Sequence, residues 1–247
     1  MQWIDRGIIL GTRKIGETGV LVEVFTQKHG RSKAMVYGGT SKSKVALLQG
    51  GNSVHVNWRA RLDEQLGYYQ IEPITMRSAD LVAAPQMLYG FMSLAALLRY
   101  LPERDPHETL FDIIEAALEH LGERIISALL FLRLELSFLS EIGFGLDLSA
   151  CAVTGKQENL IYISPRTGRA VSAEAGEPYK ERLLSLPPFL LNPHMLQDDF
   201  SLSVPPEDIR VGFSVTEHFL RRSVFESRGY ECPRERERFI ALALQSC

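Results

Sequence analysis

The chain has 247 residues, 45% hydrophobic and 23% charged, with a formal net charge of −3. This is the composition of an ordinary globular protein with room for one large core or two small ones. No apolar run approaches the roughly 20 residues that span a bilayer, and the N-terminal MQWIDRGIIL, with Asp5 beside a short apolar run, does not read as a signal peptide. Three widely spaced cysteines (Cys151, Cys232 and Cys247) make no disulfide framework and point to a reducing cytosol.

The charge is unevenly placed. Residues 1–79 carry 11 Lys and Arg against 6 Asp and Glu, a net of +5, which leaves −8 on the remaining 168 residues. A basic first third on an acidic whole suggests a polyanion partner for that third, or only a scatter of charge between two faces.

Five short strands are expected there, at about 3–10, 19–27, 31–38, 53–62 and 67–74. In SVHVNWRARL, Val54, Val56, Trp58, Ala60 and Leu62 alternate with Ser53, His55, Asn57, Arg59 and Arg61, the period of a half-buried strand. QKHGRS is a glycine-containing hairpin loop, GGTSKSK is flexible, and KVALLQGG holds one short helical turn. Five antiparallel strands in so short a span suit a small Greek-key barrel, with the OB-fold as the leading candidate.

From Asp80 the period changes to that of helices. A first helix starts properly near Pro85. A second takes Asp105 as its N-cap, with Pro106 at the first helical position, and its stripe Leu110, Ile113, Ile114, Ala117, Leu118 and Leu121 ends at Gly122. RIISALLFLRLELSFLSEIGFG is apolar nearly all round and so central to a helical core. Residues 151–176 form a hairpin-like segment, a proline-rich stretch follows, and a last long helix lies between Pro205–Pro206 and Gly229. The expected architecture is α+β: a barrel domain over 1–79 and a helical domain over 80–247 that includes the hairpin.

Catalytic signatures are thin. GTRKIGETG has the glycines of a phosphate loop, but Glu17 and Thr18 stand where Lys and Ser/Thr are needed. Nucleophile-elbow and zinc-protease motifs are missing, and the histidines are scattered, His29 in a hairpin loop and His218 in a helix. The acids of the basic third (Glu17, Glu23, Asp63, Glu64 and Glu72) lack the clustering that a metal-dependent nuclease needs. The chain reads as a binder with no catalytic residues.

A nucleic-acid constellation is better supported. By the period of two, Arg31, Lys33, Met35 and Tyr37 share one face of the third strand, offering cations for phosphates and a ring for a base. Arg13 and Lys14 fall in the loop between strands one and two, a place OB-folds use for ligands, and Lys42 and Lys44 extend the patch. The bland alternative leaves Tyr37 in the barrel core and the lysines as solubilising charges. DNA and RNA are not distinguished by phosphate contacts, so an RNA-binding or regulatory OB-fold protein stays open.

GIILGTRKIGETGVLVEVFTQKHGRSKAMVYGG resembles the N-terminal pattern of the RecO family, bacterial recombination mediators of DNA repair. FLRLELSFLSEIGFGLDLSAC and EHFLRRSVFESRG continue the resemblance over nearly the whole chain. It implies an OB domain, a helical domain and no turnover. It also implies binding of single- and double-stranded DNA, strand annealing, and loading of RecA onto DNA coated with single-stranded-DNA-binding protein. The implied partners are RecR and the acidic C-terminal tail of single-stranded-DNA-binding protein, in the cytoplasm with the nucleoid. Carried onto matching positions, Arg13, Lys14, Lys28, Arg31 and Lys33 become DNA contacts, with Lys42 and Lys44 in a less well matched loop. Arg133 matches the basic position expected to take the tail, or else pairs internally with Glu135 or Glu141. Many chains of the family carry two C-x-x-C pairs around the hairpin. Here those positions are Cys151, Thr154, Ser172 and Ala175, so the resemblance implies a degenerate zinc ribbon without metal, held by packing of Leu160, Tyr162 and Val171. No cofactor is expected.

Overall fold

The structure, a computed structural model, describes residues 1–62, 64–192, 204–226, 229 and 231–245. Asp63, Ser227, Arg228 and Cys247, which figure in the sequence reading, lie outside them. The chain forms two compact units, Met1–Leu118 and Glu119–Cys247. Among the described residues no helix is long and apolar enough to cross a membrane.

The first unit opens with five strands, β1 (Gln2–Ile15), β2 (Gly19–Thr26), β3 (Gly30–Val36), β4 (Ser53–Arg59) and β5 (Tyr68–Thr75). They close into a barrel in the order β1-β2-β3-β5-β4, with β3 and β5 parallel and β4 antiparallel to β1. That is the expected small five-stranded barrel of OB type, except that its closing β3–β5 pair is parallel where antiparallel strands were expected. Its interior holds Val22, Val24, Ala34, Val54, Val56, Trp58 and Tyr69. Between β3 and β4 lies one short helix, α1 (Lys42–Leu47).

Strand β1 runs further than expected. A turn at 16–18 lets its ladder with β2 continue to Ile15 against Gly19, with one irregularity between Ile9 and Gly11. Arg13 and Lys14 therefore lie on a strand, opposite Leu21 and Val20, and not in a loop.

Three helices complete this unit: α2 (Ser78–Ala83), α3 (Pro85–Leu98) and α4 (Glu108–Glu119). The α4 helix begins later than its Asp-Pro signal suggests. Its first backbone bond runs from the Phe111 N–H to the His107 carbonyl, which leaves Asp105 and Pro106 in the preceding segment. Gly7, Ile8, Ile9 and Leu10 are all buried, so β1 is covered on both faces here. Phe25 meets Phe111 with ring centroids 6.1 Å apart, Ser53 donates to Glu115 at 3.3 Å, and Arg6 pairs with the same Glu115.

The second unit is built on α5 (Arg124–Glu141), whose Leu129, Phe131, Leu132, Leu134, Phe138 and Leu139 are buried. A three-stranded sheet follows in the order β7-β6-β8, from β6 (Leu160–Ile163), β7 (Ala170–Ser172) and β8 (Leu184–Ser185), with one helical turn, α6 (Ala173–Gly176), between the last two. The hairpin was expected; the third strand was not, because two residues carry no readable alternation. Helix α7 (Pro206–Leu220) passes into a single π turn, Arg221–Phe225. It packs on α5 at Gly212, where a Cβ would lie 2.7 Å from Leu132 Cδ2. A further helix, α8 (Arg234–Ala243), lies beyond the one read as last. Its RERERF start looks like a solvated charge run, but Arg236 and Phe239 are buried, and Phe239 packs on Phe131 at 4.6 Å.

Candidate nucleic-acid interface

The outer face of β3 carries Arg31, Lys33 and Met35 in the predicted phase, while Ser32, Ala34 and Val36 are buried; the strand ends before the expected residue 38, and Tyr37 opens the turn that follows it. The two ends of this face differ. At the Arg31 end, a segment of the same unit, 101–107, lies along the strand in a parallel bridge of Arg31 with Glu103. Arg31 is buried: its Nη1 donates to Glu23 at 2.8 Å and Glu103 at 3.3 Å, and its Nε and Nη2 donate to the Leu101 carbonyl at 3.3 and 3.0 Å. Lys33 Nζ sits 2.5 Å from Glu103 and 3.8 Å from Glu23. Arg99 donates to the other Glu23 oxygen at 3.0 Å. Burial pushes the Glu23 carboxyl up, but hydrogen bonds from Arg99 and Arg31, and their charges, outweigh it and hold its pKa below the usual carboxylate value. The segment can approach so closely because residue 30 is glycine at φ +62°, where a Cβ would fall 1.9 Å from the Asp105 carbonyl oxygen. Arg31 is thus part of the internal polar structure, and Lys33 is half committed to it.

The Tyr37 end is open. Tyr37 is 63% exposed and stacks on Tyr68, with centroids 4.6 Å apart and planes 20° from parallel. Lys44 donates its ammonium to the Tyr37 carbonyl at 2.8 Å. Together these residues line a groove of about 680 Å³ bounded by α1, β4 and β5, which Asn57 and Arg59 also line. Tyr37 is therefore outside the barrel core.

Strand register connects this groove to β1. Arg13 lies opposite Leu21, Leu21 opposite Met35, Met35 opposite Tyr68, and Tyr68 opposite Arg59. Residues opposite one another point to the same side of a sheet, so this row places Arg13 and Arg59 on the outer face, flanking the tyrosines. Arg13 and Lys14 are exposed at the end of β1, Lys28 is exposed in the β2–β3 turn, and Lys42 is exposed in the first turn of α1. The sequence reading brought Arg31, Lys33 and Tyr37 into one patch. The structure divides them, joining Tyr37 and Lys44 to Tyr68, Asn57 and Arg59. The period of two in Tyr68–Tyr69 sends one ring out and one in, but only the β3–β5 pairing shows which tyrosine Tyr68 meets.

A second aromatic cluster lies in the same unit. Trp3 stacks on His29 at 4.2 Å and on Trp58 at 5.6 Å, with the Arg104 guanidinium over Trp58 at 5.7 Å. His29 Nδ1 is 2.9 Å from Asp5, which binds this turn to β1.

In the second unit, Arg133 is exposed on α5 and makes no ion pair among the described residues. Glu135 is taken by Arg236 of α8, 2.6 Å away and equally buried. The four positions where the family's cysteines would stand do not fit a tetrahedral zinc site, which draws on thiolate, imidazole or carboxylate donors. Cys151 is buried and its Sγ accepts the Ser172 N–H at 3.3 Å. Burial pushes this thiol up, but hydrogen bonds from Ser172 and Thr154 outweigh it and bring its pKa to about 6. Neither hydroxyl is a good zinc ligand, and Ala175 offers no donor. Among the described residues no three His, Cys, Asp or Glu side chains gather where they could hold a metal.

A closed five-stranded barrel with a basic and aromatic outer face, followed by a helical second unit, defines an OB-fold protein with a helical C-terminal half. Two family models match the chain: Recombination protein O N terminal over residues 1–77, and Recombination protein O C terminal over 83–229. The chain belongs to the RecO family. It is 47% identical over 243 residues to the DNA repair protein RecO of Methylorubrum populi, with 98% of each chain covered. It is 48% identical over 241 residues to that of Beijerinckia indica, covering 98% of this chain and 94% of the relative. To the DNA repair protein RecO of Rhizobium johnstonii it is 45% identical over 246 residues, covering 100% and 94%.

Proposed function

We propose that this protein acts in DNA repair as a recombination mediator. It binds single- and double-stranded DNA, promotes annealing of complementary strands and, with RecR, helps RecA load onto DNA coated with single-stranded-DNA-binding protein. The observation that carries this reading is membership of the RecO family along nearly the full chain. The exposed cations and tyrosines on the barrel agree with it. In this reading the barrel domain, 1–79, holds DNA and the helical domain, 80–247, serves partners. Arg133 receives the acidic tail of single-stranded-DNA-binding protein, and the protein works in the cytoplasm at the nucleoid without turning over a substrate.

The mechanism follows from charge. Arg13, Lys14, Lys28, Lys42 and Lys44 neutralise phosphates, so two strands held on the barrel repel each other less and pair. Arg31 acts by holding the segment 101–107 in place, and Lys33 contributes less than its position on β3 suggests.

The test is annealing of complementary strands coated with single-stranded-DNA-binding protein, with and without this protein. Acceleration that weakens steeply with added salt is expected. An unchanged rate would overturn the mediator reading.

A further inference from the structure

We propose that the groove bounded by α1, β4 and β5 is a binding site for single-stranded DNA, in which bases lie on the Tyr37–Tyr68 pair and phosphates run toward Arg59, Lys44 and Arg13. This rests on the DNA-binding reading above and adds where the single strand sits and why that site prefers it to a duplex.

Three observations carry it. The first is where the cations are spent. Arg31 and Lys33 face Glu23 and Glu103, so the Arg31 end of β3 is nearly self-neutralised and has little left for a phosphate.

The second is the aromatic pair. Tyr37 and Tyr68 are 63% and 46% exposed while stacked on each other. Two exposed rings fixed in parallel present a flat apolar surface whose outer side lacks a partner among the described residues. Nucleobases fit such a surface whatever their identity, because every base has a π face.

The third is the row Arg13–Leu21–Met35–Tyr68–Arg59. Each ladder step is about 4.8 Å, so Arg59 stands one step from Tyr68, beside the stacking surface, and Arg13 three steps off, about 14 Å, where a strand leaving the groove along this row would meet it. Lys44 has donors to spare beyond its bond to the Tyr37 carbonyl. Glu72, the acid that also lines the groove, repels phosphates and keeps the backbone on the Lys44–Arg59 side.

Strand preference follows from the chemistry. In a duplex the bases are stacked inside and cannot reach the tyrosines, so the rings add nothing to duplex binding. A single strand offers both bases and phosphates.

The full-length chain is titrated with a labelled single-stranded oligonucleotide, its duplex, RNA of the same sequence and a labelled acidic-aromatic peptide. The variants are Tyr68→Leu, Tyr37→Leu and the ring-preserving Tyr68→Phe. Each Leu variant is expected to weaken single-strand binding about tenfold, with duplex affinity within about twofold of wild type and Tyr68→Phe close to wild type. Circular dichroism confirms that the variants fold. If wild type binds DNA and both Leu variants bind single strands equally well, the groove assignment is overturned while the DNA-binding reading stands. If wild type binds neither strand form, both fall. Tyrosine-dependent binding that is tighter for RNA or for the peptide than for DNA overturns the choice of ligand.

Discussion

The guanidinium of Arg236 grips both carboxylate oxygens of Glu135, Nε to Oε1 at 2.6 Å and Nη2 to Oε2 at 2.9 Å, with 1% and 0% of the two side chains exposed. Thr216 donates its hydroxyl to the same carboxylate at 2.5 Å, and Arg236 also donates to the Phe213 carbonyl at 3.0 Å. This network ties α5, α7 and α8 together. Breaking one side of it leaves a buried charge without its partner, which typically costs about 3–5 kcal/mol. Arg236→Met is expected to lower the free energy of unfolding by that amount, read as a lower urea midpoint at unchanged m. Arg236→Met with Glu135→Leu is expected to recover most of it, since a well-packed apolar pair replaces the ions. Equilibrium unfolding of wild type and the two variants checks both outcomes.

Glu23 predicts a pH effect. Its pKa is lowered in the folded protein, so the stability it contributes is complete above the unfolded carboxylate value of about 4.3. That stability is lost as pH falls through the lower folded value. Glu23→Gln keeps an acceptor but removes the charge facing Arg31, Arg99 and Lys33, and is expected to cost about 2 kcal/mol at neutral pH. The gap between wild type and variant should be constant above about pH 5 and close on acidification below it. Urea titrations from pH 7 to pH 3 measure this directly.

The division of β3 separates stability from DNA affinity. Arg31→Ala is expected to lower stability by about 2–3 kcal/mol, because Glu23 and the Leu101 carbonyl lose buried charge-assisted partners. Arg13→Ala with Lys14→Ala should leave stability within about 0.5 kcal/mol. The same double variant should reduce the slope of log affinity against log salt by about 2. Thermal melts and salt-dependent duplex titrations of both variants test the split. A normal salt slope in the Arg13–Lys14 variant removes those residues from the interface.

Arg133 and Glu135 are two residues apart and point to different environments, one exposed and one sealed with Arg236. Arg133→Ala is expected to weaken binding of an acidic tail peptide about tenfold, as loss of a charge-assisted contact implies. DNA affinity and melting temperature should not change. Peptide anisotropy alongside a DNA titration shows whether the two activities separate.

Features set by local pattern were legible before the fold was known. The alternation in SVHVNWR placed Val54, Val56 and Trp58 in the barrel interior, and all three are buried. The all-round apolar α5 is the central helix of its unit. What escaped notice depends on partners far away in sequence. Arg31 has the phase of an outward cation, and nothing near it announces Glu103, 72 residues later. Helix α8 has no counterpart in the sequence reading, since the charged RERERF shows no apolar stripe, yet Arg236 finds Glu135 101 residues earlier. Tyr68 had no visible role until the parallel β3–β5 closure brought it to Tyr37.

Position 30 is where backbone conformation governs surface charge. With φ at +62° and the Asp105 carbonyl 1.9 Å from where a Cβ would stand, a single added methyl cannot be accommodated unless the segment 101–107 withdraws. Withdrawal takes Glu103 away from Arg31 and Lys33 and leaves the two cations to share Glu23. An uncharged residue thus governs how two cations of the barrel are paired, and the absence of one carbon atom there is what lets Glu103 reach them.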